Sequence, residues 1–279
     1  MMFYLLKSIQ EAKILKNMLK KHTLLLFPIS ILGLIAFTWP LYIPQSDYFL
    51  LRSENTKWLI ALILPLAILL FILEINHGAL DAKSVALLGV FAALVSALRL
   101  VGAGAIGIEP IWFLLILIGR VFGPTFGFTL GITSIFISGL ISGGVGPWLA
   151  FQMIAGGWIT MFAGFIPRKL GGKIEVVALT VYAIIATQVF GILMNLQLWP
   201  WLLGVDSQIS FVPSDSVASN LQRFFLFHLA TSLAWDIPRA VLTVALILVT
   251  AKPILITLKR AEGKLNLKVN ARGKQQMAV

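Results

Sequence analysis

The segment "FHLATSLAWDIPRA" sets chemically capable side chains into an apolar stretch. His228, Ser232 and Asp236 follow one another at i+4 steps, and Arg239 comes one turn later. That spacing places all four on one face of a helix. Ionisable groups at membrane depth are costly and by default mark function, facing a cavity or a partner. Asp236 and Arg239, at i and i+3, can also neutralise each other. The stripe therefore reads either as the polar floor of a solute site or as an ion pair bracing a helix at Pro238, and the two roles are compatible.

Other polar residues gather near the same depth. Glu109 and Trp112 flank Pro110 beside the pliable "VGAGAIGIEP", and Gln152 lies one turn after Trp148. Gln188 and Asn195 share a helix face, and Trp199 and Trp201 follow where that helix should leave the bilayer. Tryptophan at such a position usually anchors to headgroups. By position, Glu109, Trp112, Trp148, Gln152, Gln188, Asn195, Asp236 and Arg239 are candidate substrate-binding residues. Together they suit a neutral, hydrogen-bonding organic solute, whereas a small inorganic ion would ask for rings of charge or carbonyls.

Several chemistries are excluded. The chain has no cysteine, and its three histidines, His22, His77 and His228, are far apart in sequence, so no metal site is expected. Walker A, Gly-x-Ser-x-Gly and His-Glu-x-x-His patterns do not occur. Away from the span ends, Asp236 is the lone carboxylate within the spans, which is a thin constellation for acid–base work on a lipid. No catalytic residue, enzymatic activity or cofactor is expected.

The elements that must position these residues are membrane helices. The 279 residues are 59% hydrophobic and 12% charged, with a mean hydropathy of +0.95, against about a quarter charged in soluble domains. Spans need about 20 apolar residues each, and eight fit: about 23–44, 57–75, 83–100, 110–122, 124–141, 148–166, 174–198 and 221–251. The charge-free run Val121–Pro167 is too long for one helix and breaks at Gly123–Pro124, where proline stops the preceding helix, and at "SGGVGPW".

The net charge of +11 sits mainly at the two ends. In the eight-span arrangement every Lys and Arg except Arg52, Lys57, Arg99, Arg223 and Arg239 lies inside, as the positive-inside rule requires when both termini are cytoplasmic. The basic clusters thus read as topology and attraction to anionic lipid, and no nucleic acid is implied. A polar hinge near residue 80 separates residues 1–80, a basic terminus plus a two-helix unit, from a six-helix unit at 81–258. A basic cytoplasmic tail follows at 259–279.

Gly89, Ala93 and Ala97 make a small-xxx-small stripe on the third span. Such stripes let helix backbones approach closely, either within the chain or against another protein.

From about residue 82 to 258 the chain resembles the substrate-binding S component of an energy-coupling factor (ECF) vitamin transporter. The resemblance is carried by "ALLGVFAALVSALRL" with its Ala93-x-x-x-Ala97 pair, by "GRVFGPTFGFTLG", by "SGGVGPW" and by six spans. It implies capture of a vitamin from outside, toppling in the membrane, and docking of the Gly89, Ala93 and Ala97 face on a transmembrane coupling protein that carries two ATPase subunits. "GAGAIGIEP", "GRVFGPTFGF", "GGVGPWLAFQM" and "WDIPRA" together are similar to the cobalamin type with an added amino-terminal helix pair. The expectation is an all-α integral protein of the cell membrane, its last six helices forming the vitamin-binding bundle. Another micronutrient, a stand-alone secondary carrier and a purely structural subunit are the alternatives.

Overall fold

Glycine and proline punctuation sets where the helices begin and end. The computed structural model describes residues 26–38, 41, 82–102, 106–202, 207–212 and 215–276; the expected second span at 57–75 lies outside the described residues. Among the described residues there are helices and loops and no strand. The helices are α1 (Leu26–Thr38), α2 (Ala82–Val101), α3 (Trp112–Phe122), α4 (Pro124–Ile141), α5 (Trp148–Ala163), α6 (Gly172–Leu202) and α7 (Val217–Gln276). Gly123 ends α3 at φ 90°, a conformation open to glycine, and Pro124 starts α4 at the one turn position where a missing N–H costs nothing.

Four of these helices, α2, α4, α6 and α7, are long and apolar enough to cross a membrane, so the protein is membrane-embedded and multi-pass. The expected spans at 110–122 and 148–166 are shorter than a crossing. At 11 residues, α3 is roughly 16 Å long against a hydrocarbon core of about 30 Å. Trp112 through Val121 are all buried. α4, α5, α6 and α7 pack around it, which is why its sequence is apolar on all sides but for Arg120 in the last turn.

The closest pairing joins α4 to α5. A Cβ on Gly131 would stand 2.4 Å from the Gly156 carbonyl oxygen, so backbone meets backbone there, as helices pack in lipid. α1 lies on α5: Phe37 meets Phe151 edge-on at 5.1 Å, and the Trp158 indole Nε1 donates to Ser30 Oγ at 3.0 Å.

The 60-residue α7 continues through Pro238 and Pro253. The basic tail expected from residue 259 is the same helix, carried on to Gln276. Lys, Arg, Leu and Ala after Leu258 are good helix formers, and Glu262 pairs with Arg168 at 3.2 Å. The buried face of α7 reads His228, Ser232, Asp236, Arg239 and Thr243, then Ile247, Ala251, Leu255 and Leu258. One stripe is thus polar in its first half and apolar in its second.

At the end of the bundle away from His228, Arg120 of α3 meets Glu175 of α6. Each is 3% exposed, and Arg120 Nη2 stands 3.0 Å from Glu175 Oε1. Lys259 of α7 donates to Glu175 Oε2 at 2.6 Å, and Arg120 Nη2 also donates to the Pro167 carbonyl at 3.2 Å. The Arg120 contact is a charge contact, since Glu175 Oε1 accepts no aligned hydrogen bond. Glu175→Gln keeps an acceptor beside Arg120 and leaves Lys259, 45% exposed, free to reach water. Arg120, buried and left with only neutral dipoles beside it, keeps its charge without a counter-ion, so the loss should be about 3 kcal/mol. Thermal unfolding in detergent reads it, and an unchanged Tm would assign the triad no stabilising role.

Candidate functional site

The polar stripe of α7 meets α6 and the segment ahead of α3. Arg239 is the hub. Its Nε donates to Glu109 Oε2 and its Nη2 to Glu109 Oε1, both at 3.1 Å, while Nη1 donates to Asp236 Oδ1. One guanidinium thus holds two carboxylates that are far apart in sequence. The Phe190 ring lies 5.0 Å from Arg239 Cζ, and Trp112 packs against Phe190 at 4.4 Å with its ring tilted by 52°. The Trp112 indole Nε1 donates to Glu109 Oε2 at 2.6 Å.

The network runs on along α7. Ser232 Oγ donates to Asp236 Oδ2, and His228 Nε2 lies 4.0 Å from the same oxygen. Asn195 Nδ2 stands 3.2 Å from His228 Nδ1 and donates to Thr231 Oγ1 at 2.9 Å. With the amide assigned that way, Nδ1 accepts and the ring proton of a neutral His228 sits on Nε2, facing Asp236. Gln188 donates to the Asp236 backbone carbonyl at 3.3 Å.

Two glycines make this geometry possible. A Cβ on Gly191 would lie 2.0–2.3 Å from the Asp236 carboxylate oxygens, so only a bare backbone lets the acid seat against α6. Gly107, at φ +65°, presses on the Trp235 carbonyl, whose oxygen would stand only 2.3 Å from a Cβ. It brings the loop that carries Glu109 down onto α7.

A second cluster lies on α2, α4 and α5. Arg99 Nη1 donates to Ser138 Oγ at 2.8 Å and to the Ile135 carbonyl at 3.3 Å. Its Nη2 donates to Gln152 Oε1 at 2.7 Å.

The eight candidates therefore divide. Glu109, Trp112, Asn195, Gln188, Asp236 and Arg239 belong to one connected network, and Gln152 belongs to the Arg99 cluster. Trp148 is 42% exposed, packs over Gly146, and makes no hydrogen bond to either cluster among the described residues. Trp112, Asp236 and Arg239 are buried, Asp236 wholly so, whereas Glu109, Gln152, Gln188 and Asn195 keep some exposure. Of those four, Glu109 is held by Trp112 and Arg239 and Gln188 by the Asp236 carbonyl, whereas Asn195 bonds His228 and Thr231 and Gln152 bonds Arg99.

The headgroup role expected of Trp199 does not hold. That indole is fully buried, packs on Phe211 and Phe224 at 5.2 and 5.3 Å, and donates to the Ile209 carbonyl at 2.8 Å. The segment after α6 folds back over it, pinned by Asn220, which bonds both backbone groups of Val212. The side chain of Trp201 is outside the described residues.

Position alone did not reveal Arg99, Ser138, Thr231 and Gly191 as parts of these clusters. Arg99 did carry a signal, as an arginine in an apolar span that the charge-inside pattern did not absorb. Gly191 carried one too, between Gln188 and Asn195 on the same helix.

The stripe on α2 points outward. Gly89, Ala93 and Ala97 are exposed and a Cβ on Gly89 would meet nothing within 4 Å, while Leu88, Ala92, Val95 and Ser96 face the bundle. Among the described residues no group of three or more His, Cys, Asp or Glu is placed to hold a metal ion. No protein-family model, no curated protein and no solved structure matches this chain.

Proposed function

We propose that this chain is the substrate-binding membrane subunit of an ECF-type importer, capturing a vitamin, cobalamin foremost, and handing it inward when an ATP-driven coupling module reorients it. The observation that carries the reading is the small-residue face of α2. It stands exposed on the bundle while the opposite face of the same helix does the internal packing, and it is smooth enough for close helix approach. The partially open polar groups Glu109, Gln152, Gln188 and Asn195 supply hydrogen-bonding capacity for an organic solute. Asp236, Arg239 and Trp112 act as positioning residues. The protein performs no chemistry on its cargo. Its partners are the coupling protein, two ATPase subunits and the surrounding lipid, and it works in the cell membrane with both termini inside.

Capture and delivery separate cleanly, because a ligand that prefers one orientation holds the protein there until work is done on it. Calorimetric titration of the detergent-purified chain with cobalamin tests the capture step. Tight one-to-one binding with no partner and no ATP is the expected result. Folded protein that takes up no heat with cobalamin or any other vitamin would refute the reading.

A further inference from the structure

Every acidic residue in the described ion pairs already has its cation. Glu109 and Asp236 share Arg239, Asp215 takes Arg223, Glu175 takes Arg120 and Lys259, and Glu262 takes Arg168. Arg99 differs. It sits in the last turn of a spanning helix, and all three of its hydrogen bonds go to neutral acceptors, Ser138 Oγ, Gln152 Oε1 and the Ile135 carbonyl. Among the described residues no carboxylate lies within ion-pair distance of it. A guanidinium offers five N–H donors, so Nε–H and one further N–H remain after those bonds. Its side chain is half-buried and bonded to Gln152, one of the residues with open polar groups. A full positive charge held by dipoles at membrane depth is an expensive arrangement, and an arriving anion would complete it with a charge-assisted, fork-shaped contact.

We propose that Arg99 is an anion-recognising residue of the solute site, and that the captured solute carries an accessible carboxylate or phosphate ester. This rests on the capture reading above and narrows it: the neutral solute expected from the sequence is replaced by one with an acidic group, held by Arg99 and within reach of the Gln152 amide N–H groups. The phosphodiester of cobalamin belongs to this class. A lipid phosphate has the same chemistry, and the inference commits to the water-soluble source.

The test is a thermal-shift titration of the full chain in neutral detergent with benzoate and dimethyl phosphate, against benzamide and trimethyl phosphate as matched neutral probes. The anions should raise the Tm by about 3 °C at a tenfold excess over their Kd, and the neutral probes should not. Arg99→Gln should abolish the difference, since glutamine can still bond Ser138 and Gln152 while carrying no charge. Arg99→Lys, a second variant in case the first folds poorly, should keep a response weakened about tenfold, as expected for a point charge without the planar fork. Equal responses to charged and neutral probes, or an undiminished anion preference in Arg99→Gln, would overturn the proposal. So would an Arg99-dependent shift that appears only when phosphatidylglycerol is added to phosphatidylcholine nanodiscs, which would assign the residue to a lipid headgroup. An anion response alongside absent vitamin binding would leave Arg99 standing and remove the vitamin reading. Cobalamin binding that ignores Arg99→Gln would do the reverse.

Discussion

Arg239→Gln lowers the melting temperature of the detergent-solubilised protein by about 10 °C, the shift expected from losing 3–5 kcal/mol in a chain of this size. The substitution takes the shared cation from two acids at once. Asp236 is wholly buried, and Glu109 has no other cation at ion-pair distance among the described residues. A broken buried pair costs more than an absent one, because the survivor stays charged without compensation. The double variant Arg239→Gln with Asp236→Asn should recover about 1–3 kcal/mol of that loss, the coupling expected of contacting residues. Interhelical polar contacts in membranes are individually modest, averaging roughly 0.6 kcal/mol, so the large figure depends on the stranded charge and not on the lost hydrogen bonds. If the single variant shifts Tm by no more than surface substitutions do, Arg239 is not the hub. Solute affinity should also fall in this variant, because Glu109 loses the fork that orients it.

Replacing both Ala93 and Ala97 with arginine abolishes uptake in cells that supply the coupling module, while cobalamin binding to the purified protein stays within about twofold of wild type. Both positions are exposed, and the residues that pack α2 on the bundle lie on its other face, so the fold has no reason to fail. An arginine at a lipid-facing helix centre costs about 2.5–3.5 kcal/mol on insertion. The leucine pair at the same positions is therefore the companion: it is bulky enough to hold a partner helix away and has no insertion cost. Transport that continues unchanged in both variants would mean that the stripe faces lipid, and the stand-alone carrier would become the better account.

The membrane class, the all-helical architecture and much of the helix punctuation were legible in the sequence. They follow from local quantities: long apolar runs, the Gly123–Pro124 break, and the "SGGVGPW" interruption between α4 and α5. The i+4 stripe on α7 was legible for the same reason, since a helix converts spacing directly into a shared face. Periodicity fixes which residues share a face, not which distant face meets it.

The tertiary structure decided the rest. That α3 is enclosed by its neighbours was a matter of packing, since an apolar helix reads alike whether lipid or protein surrounds it. The Trp199 indole, equally suited to a headgroup or a cap, was buried by a loop whose return path no local pattern records. Glu109 met Arg239 across 130 residues of chain because Gly107 and Gly191 let a loop and a helix approach α7 at backbone contact. Charge and hydrogen-bond partnership between remote segments is a property of packing, and packing is settled only when all the helices are in place.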